Sequence, residues 1–204
     1  MFINTFKYGP EDVSCKLCTE YVKKLGCTAL HCPWLAERIE AGVVGYQEAV
    51  METFRFDRRL YRRLRLLIKH FPGSLWSYEQ HERRMQTTNA AQGYRRRRNT
   101  NGYYAAMYLL TANDDIQRRT VNCFCRGGIE FEYAVLRDIS PHNYALYMSA
   151  RDLYSKTTAV TVEDLSDPEI IDPEALRLIV NATLIARYGL AAFQIKERGA
   201  EHGC

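Results

Sequence analysis

From residue 57 to residue 71 the apolar side chains Leu60, Leu64, Leu67 and Phe71 recur at steps of four, three and four, with Tyr61 and Ile68 beside them. That is the period of a helix burying one stripe, and Pro72 and Gly73 close it. Upstream, Pro33 opens a helix through Trp34, Leu35 and Ile39 that Gly42 ends, and a second short helix runs from Tyr46 to Phe54. Downstream, Tyr103 to Leu110 reads as a helix, and Asn113, Asp114 and Asp115 supply the cap and first turn of another towards Val121. Ser140 before Pro141 starts a further helix carrying Tyr144, Tyr147, Ala150, Leu153 and Tyr154. The clearest element is the last: Asp172 caps it, Pro173 takes its first position, Leu176, Ile179, Val180, Thr183 and Leu184 follow, and Gly189 terminates it.

Other stretches break this period. Ile129, Phe131 and Tyr133 alternate with Glu130 and Glu132 after Gly127 and Gly128, which predicts a short strand, and residues 158–162 suggest a second. The polar stretch from Gln86 to Gly102, with Gly93, Asn99, Asn101 and the consecutive Arg95, Arg96, Arg97 and Arg98, reads as a mobile linker, and Lys196 to Cys204 as a frayed end. The expected architecture is mainly α: a small N-terminal four-cysteine zinc knuckle plus a helical domain with one or two short strands. Three segments follow, 1–52 holding the knuckle and short helices, 53–102 the basic helix and arginine-rich linker, and 103–204 the C-terminal helical domain.

Charge sharpens that division. The 204 residues carry a formal net charge of +4, but residues 1–52 sum to −2, residues 53–102 to +10 and residues 103–204 to −4. A basic middle between mildly acidic ends predicts an anionic partner for the middle. Composition is that of a globular chain, 47% hydrophobic and 25% charged, which excludes a disordered tail. The expectation is a cytoplasmic protein with no membrane contact, because no continuous run of about 18 apolar residues stands out and the first ten residues do not form a signal sequence.

Seven cysteines are an odd count in a chain long enough to build its own core, so a secreted disulfide framework is not expected. Four lie together in CKLCTEYVKKLGCTALHC: Cys15 and Cys18 are separated by two residues, Cys27 and Cys32 by four, and Gly26 permits a turn in the loop between the pairs. Zinc takes four ligands in a tetrahedron, and a pair spaced by two residues supplies half of it. The sequence thus predicts a structural zinc held by Cys15, Cys18, Cys27 and Cys32, with His31 an alternative to Cys32; iron–sulfur ligation by the same thiolates stays open. Cys123 and Cys125 sit too close for joint chelation, so packing is expected for them, and a free thiol for Cys204.

The helix of residues 57–71 carries Arg58, Arg59, Arg62, Arg63, Arg65 and Lys69 on its polar positions. Arginine presents a planar fork of donors that matches phosphate, so these residues, with Arg95 to Arg98, are the expected contacts to nucleic acid or a nucleoprotein, and Trp76 and neighbouring Tyr78 are candidates to stack a base. The opposing reading is a solvated helix whose arginines pair with Glu79, Glu82 and the acidic domain.

Catalytic signatures are missing: there is no GxxxxGK[ST], GxGxxG or GxSxG. His81-Glu82 begins like a zinc-protease motif, but Met85 stands where the second histidine belongs. The sequon Asn181-Ala182-Thr183 falls inside the last predicted helix and is not expected to carry sugar. No enzyme is the favoured expectation; Asp114, Asp115 and Glu130 are the only carboxylates offered to a metal-dependent nuclease.

SCKLCTEYVKKLGCTALHCPWLAERIEAGVVGYQEAV near the start, and ISPHNYALYMSARDLYSKTTAVTVEDLSDPEIIDPEALRLIVNATLIARYGLAAF near the end, resemble accessory proteins of mobile genetic elements in anaerobic Gram-positive bacteria. The resemblance spans roughly two thirds of the chain and transfers no catalytic residue. It implies the context of regulators, transfer factors and inhibitors of host defence, including anti-CRISPR proteins that bind an effector nuclease. The expectation is a non-enzymatic, zinc-stabilised interaction protein that binds nucleic acid or a CRISPR nucleoprotein through its basic segment. The alternatives are a DNA-binding regulator, with a helix of the C-terminal bundle in the major groove, and a small nuclease.

Overall fold

The structure is a computed structural model that describes residues 7–197. It is mainly helical, with nine α-helices and two short strands among those residues. The strands β1 (Tyr21–Val22) and β2 (Gly26–Cys27) pair antiparallel in one hairpin, Tyr21 opposite Cys27 and Val22 opposite Gly26. Gly26 adopts φ +77°, the left-handed region that glycine enters freely. Helices α1 (Leu35–Glu40) and α2 (Tyr46–Thr53) follow, then α3 (Tyr61–Lys69), entered through a 3₁₀ turn at Arg58–Leu60.

The centre is built from α5 (Asn101–Leu110), α7 (Pro141–Ser155) and α9 (Pro173–Tyr188). Every residue of α5 from Tyr103 to Leu110 is buried, as a helix apolar on all sides must be. The expected caps are present. The Asn113 side chain accepts from the amides of Asp115 and Ile116 at the start of α6 (Asp114–Thr120), Ser140 from Asn143 and Asp172 from Glu174 and Ala175. His142 Nδ1 meets Asp172 Oδ2 at 2.7 Å, so α7 and α9 start side by side. The Asn113 amide donates to Asn143 Oδ1 at 2.8 Å, placing the end of α5 at the start of α7, and α5 therefore runs antiparallel to both. At its other end Gly102 lies so close to α7 that an added Cβ would sit 2.8 Å from the Leu153 carbonyl oxygen.

The earlier helices are fastened to this centre by long-range polar contacts. The Tyr46 hydroxyl donates to Asn181 Oδ1 at 2.7 Å, the Tyr46 amide donates to the Lys196 carbonyl at 2.9 Å, and the Tyr46 ring stacks on Phe71. Buried residues from all three expected segments join one apolar cluster, from Val13 to Ile195.

Three expectations change. The strand predicted over residues 129–133 is a 3₁₀ turn at Phe131–Tyr133. Ile129 and Phe131 are buried as the alternation implies, but the pairing stops at a single antiparallel bridge between Ile129 and Phe124, and the Phe131 carbonyl accepts from the Tyr147 hydroxyl at 2.9 Å. Residues 158–162 form no strand either: the Asp152 carboxylate takes the Val160 amide and the Thr157 hydroxyl, and Thr161 begins a capping box for α8 (Val162–Ser166). The stretch read as a linker is helical over its first part, because α4 spans Glu79–Gln92. Its apolar signal is weak, only His81 and Met85 being buried, and Arg84 holds it by donating to the carbonyls of Thr111 and Ala112.

The residues 173–194 form a helical stretch long and apolar enough, by length and composition, to cross a membrane, with a mean hydropathy of 1.3. The expectation overlooked it because Glu174, Arg177 and Arg187 interrupt the apolar positions. Much of the stretch, 56%, is buried inside the protein as the core helix α9. The expected frayed end beyond Glu197, and Cys204 with it, lie outside the described residues.

Candidate functional site

The hairpin and the start of α1 bring the four N-terminal cysteines to one place. Cys15, Cys18, Cys27 and Cys32 all line a cavity of about 280 Å³, together with Arg38, Glu48, Glu52 and Arg55. Cys18, Cys27 and Cys32 are free thiols, whereas Cys15 is disulfide-bonded. Among the described residues no three His, Cys, Asp or Glu groups stand close enough to hold a metal ion. His31 does not line this cavity; its ring packs edge-on to Phe56 and its Nδ1 is 3.9 Å from Glu52.

Arg38 is the buried cation of this region. It donates to Cys32 Sγ at 3.6 Å and to the Glu48 carboxylate. Burial works against its charge, yet Cys32 and Glu48 carry its pKa above the ordinary guanidinium value. The second cysteine pair behaves differently: Cys123 is buried, which pushes its thiol up to about 11, and Cys125 rises for the same cause with Glu130 and Glu132 nearby. Cys123 is thus a packed thiol, whereas Cys125 is partly exposed.

The basic residues divide into struts and free charges. Arg63 donates to the carbonyls of Leu165 and Ile171, both at 2.6 Å, and to that of Asp167 at 3.3 Å, which ties α3 to the segment before α9. Partial burial lowers its pKa, with Asp172 and Asp167 opposing. Arg59 pairs with Glu163. Arg98 is buried at 5% exposure: it donates to the carbonyls of Gln92 and Gly93, closing the end of α4, and lies over the Tyr103 ring. Arg58, Arg62, Arg65 and Lys69 are exposed and make no hydrogen bond or ion pair among the described residues. On α3, Arg62, Arg65 and Lys69 are spaced by three and four and so share one face.

The structure does not merge the two basic groups. α3 packs beside the start of α9, as the Arg63 contacts show, while Asn101, just after the arginine run, rests against Gly189 at the far end of α9. Sixteen residues of helix separate them, about 24 Å at 1.5 Å per residue. Arg95, Arg96 and Arg97 are exposed beside Tyr94, itself 74% exposed. Tyr94 and, beside Arg58, Phe56 at 75% are displayed aromatics that were not among the residues expected to stack a base. Trp76 is instead stacked on Phe193 with ring centroids 4.3 Å apart, against the core, and the Tyr78 hydroxyl donates to the Ala112 carbonyl.

His81 is fully buried between Trp76 and Tyr108, with its Nε2 2.8 Å from the Tyr108 carbonyl, and desolvation pushes its pKa down to about 4. It is a neutral core histidine that donates through Nε2 to that carbonyl. The carboxylates considered for a nuclease do not converge. Asp114 pairs with Arg84, Asp115 holds Arg119 and the Asn143 amide, and Glu130 is exposed after the Gly127–Gly128 turn.

No family model, no curated protein and no solved structure matches this chain.

Proposed function

We propose that the protein is a non-enzymatic binding module of a mobile element, which engages nucleic acid, or the nucleic-acid cleft of a CRISPR effector nuclease, through the outer face of α3. The observation that carries this reading is the set of four exposed and unpaired cations, Arg58, Arg62, Arg65 and Lys69, in the segment of charge +10. Surface arginines that serve the fold are paired, as Arg59 and Arg63 are here; Arg62, Arg65 and Lys69 are left open on one face of α3, with Arg58 in the turn before it, and such a cationic face suits phosphates. Occupying such a cleft inhibits a nuclease by binding alone. The exposed turn at Arg95 to Arg97 lies too far along the molecule for the same short contact, and in this reading it extends the footprint rather than forming the same patch.

In this proposal the four cysteines of the cavity draw closer together than they stand here, around a structural zinc that fastens the N-terminal segment. Four thiolates fill the tetrahedron and leave no open position for water, so the metal serves folding and not catalysis. Arg38 offsets the negative charge that four thiolates place on the site. Cys15 must be reduced for this ligand set to form.

The test is filter binding at low salt with a short oligonucleotide and with a purified CRISPR ribonucleoprotein. Reversing Arg58, Arg62 and Arg65 to glutamate is expected to abolish binding while the melting temperature stays within a few degrees. In the wild type, the logarithm of the binding constant should fall against log salt with a slope near 0.9 per phosphate contacted. Full binding by the triple variant refutes the assignment.

A further inference from the structure

A cavity lies along α3, where α3 meets the start of α9. Its volume is about 640 Å³, inside the range of about 300–1,000 Å³ typical of small-molecule sites. Leu66, Leu67, Pro168, Pro173 and Leu176 form its walls. The lining holds one aromatic ring, the imidazole of His70, and its other walls are aliphatic. An aliphatic body fits those walls.

The charged groups are unbalanced. Arg62, Arg63 and Arg177 line the cavity against a single carboxylate, Glu174. Arg63 is occupied by backbone carbonyls. Arg62 is exposed and unpaired among the described residues, and the Arg177 Nε is buried with no hydrogen-bond partner. A buried donor without an acceptor is costly, and buried polar groups are otherwise almost always satisfied. An anionic oxygen entering between Arg177 and Arg62 would complete that donor and neutralise the excess charge.

We propose that this cavity binds a small organic anion with an aliphatic body, such as a medium-chain carboxylate, its acid group on Arg177 and Arg62 and its chain along Leu66, Leu67 and Leu176. The site goes beyond the binding reading above and does not depend on it: the two share Arg62, but the walls and Arg177 serve no phosphate contact in that reading.

Isothermal titration of the full chain with octanoate and with uncharged 1-octanol tests it. The expected result is saturable 1:1 binding of octanoate, at least tenfold tighter than octanol. Arg177→Gln is expected to weaken octanoate at least tenfold with little change for octanol. Leu66→Trp, at a half-exposed wall position that tolerates a larger side chain, should weaken both by filling the space. Anionic phospholipid vesicles should not compete, which assigns the free acid and not a lipid surface. Absence of octanoate binding up to millimolar concentration, equal affinity for the two probes, unchanged affinity in both variants, or displacement by vesicles each overturns the proposal. Filter binding of the same Arg177→Gln protein keeps the two readings apart, since it should retain nucleic-acid affinity in full.

Discussion

Residues 7–34 and helix α5 are held by opposite means. Across the first stretch one side chain, Val13, is buried, while Leu17, Leu25 and Leu30 are 61%, 77% and 71% exposed. In α5 eight consecutive residues are buried. At about 25 cal/mol per Å² of apolar surface removed from water, α5 is stabilised by burial alone, and the N-terminal stretch has almost none to draw on. What it has is sulfur: four cysteines around one cavity. Small segments that cannot bury a core depend on cross-links or metals, so the two regions should fail under different stresses.

The largest effect expected from that contrast is on burial. Leu109→Ala empties a fully buried position and should cost about 2–5 kcal/mol, whereas Leu25→Ala should stay within about 0.5 kcal/mol; urea unfolding of both variants measures the difference. A smaller but specific effect belongs to His81. Its folded pKa of about 4 lies below the unfolded value near 6.5, so the unfolded chain binds the extra proton first. The contribution is therefore complete above pH 6.5 and is lost as pH falls towards 4. At about 1.36 kcal/mol per pKa unit it amounts to roughly 3 kcal/mol. His81→Gln should flatten that part of the acid dependence when urea midpoints at pH 7 and pH 4 are compared. The smallest global effect is expected from a chelator acting on the zinc proposed above: hydrogen exchange should become fast across residues 7–34 while α5 amides keep their protection. Loss of protection in α5 would show that the N-terminal segment supports the bundle.

Legibility followed the range of the interactions. The starts of α6, α7 and α9 are readable because a cap and its amides lie within three residues of one another, as Asp172 and Ala175 do. Helix α4 is not, since what holds it is Arg84 reaching carbonyls 27 and 28 positions away. The same limit explains the arginines. Arg62 and Arg63 are adjacent and alike in sequence, yet one is open and the other spans more than 100 residues to Leu165 and Ile171. Arg98 differs from Arg95, Arg96 and Arg97 only because the end of α4 offers it two carbonyls. The four cysteines do line one cavity, as their local spacing suggests, but no three of them stand close enough for a metal among the described residues; the separation of the two basic groups depends on the direction of α5 against α9.

The Tyr46 amide has its acceptor at Lys196 and the Tyr46 hydroxyl has its acceptor at Asn181. During synthesis the ribosome releases α2 long before either acceptor exists. The first helices therefore wait on the last ones, and a nascent chain stalled before residue 181 holds an unfinished α2 whose apolar face is open to chaperones. The two contacts of Tyr46 thus join the first helices to the last and form only after residue 196 has been made.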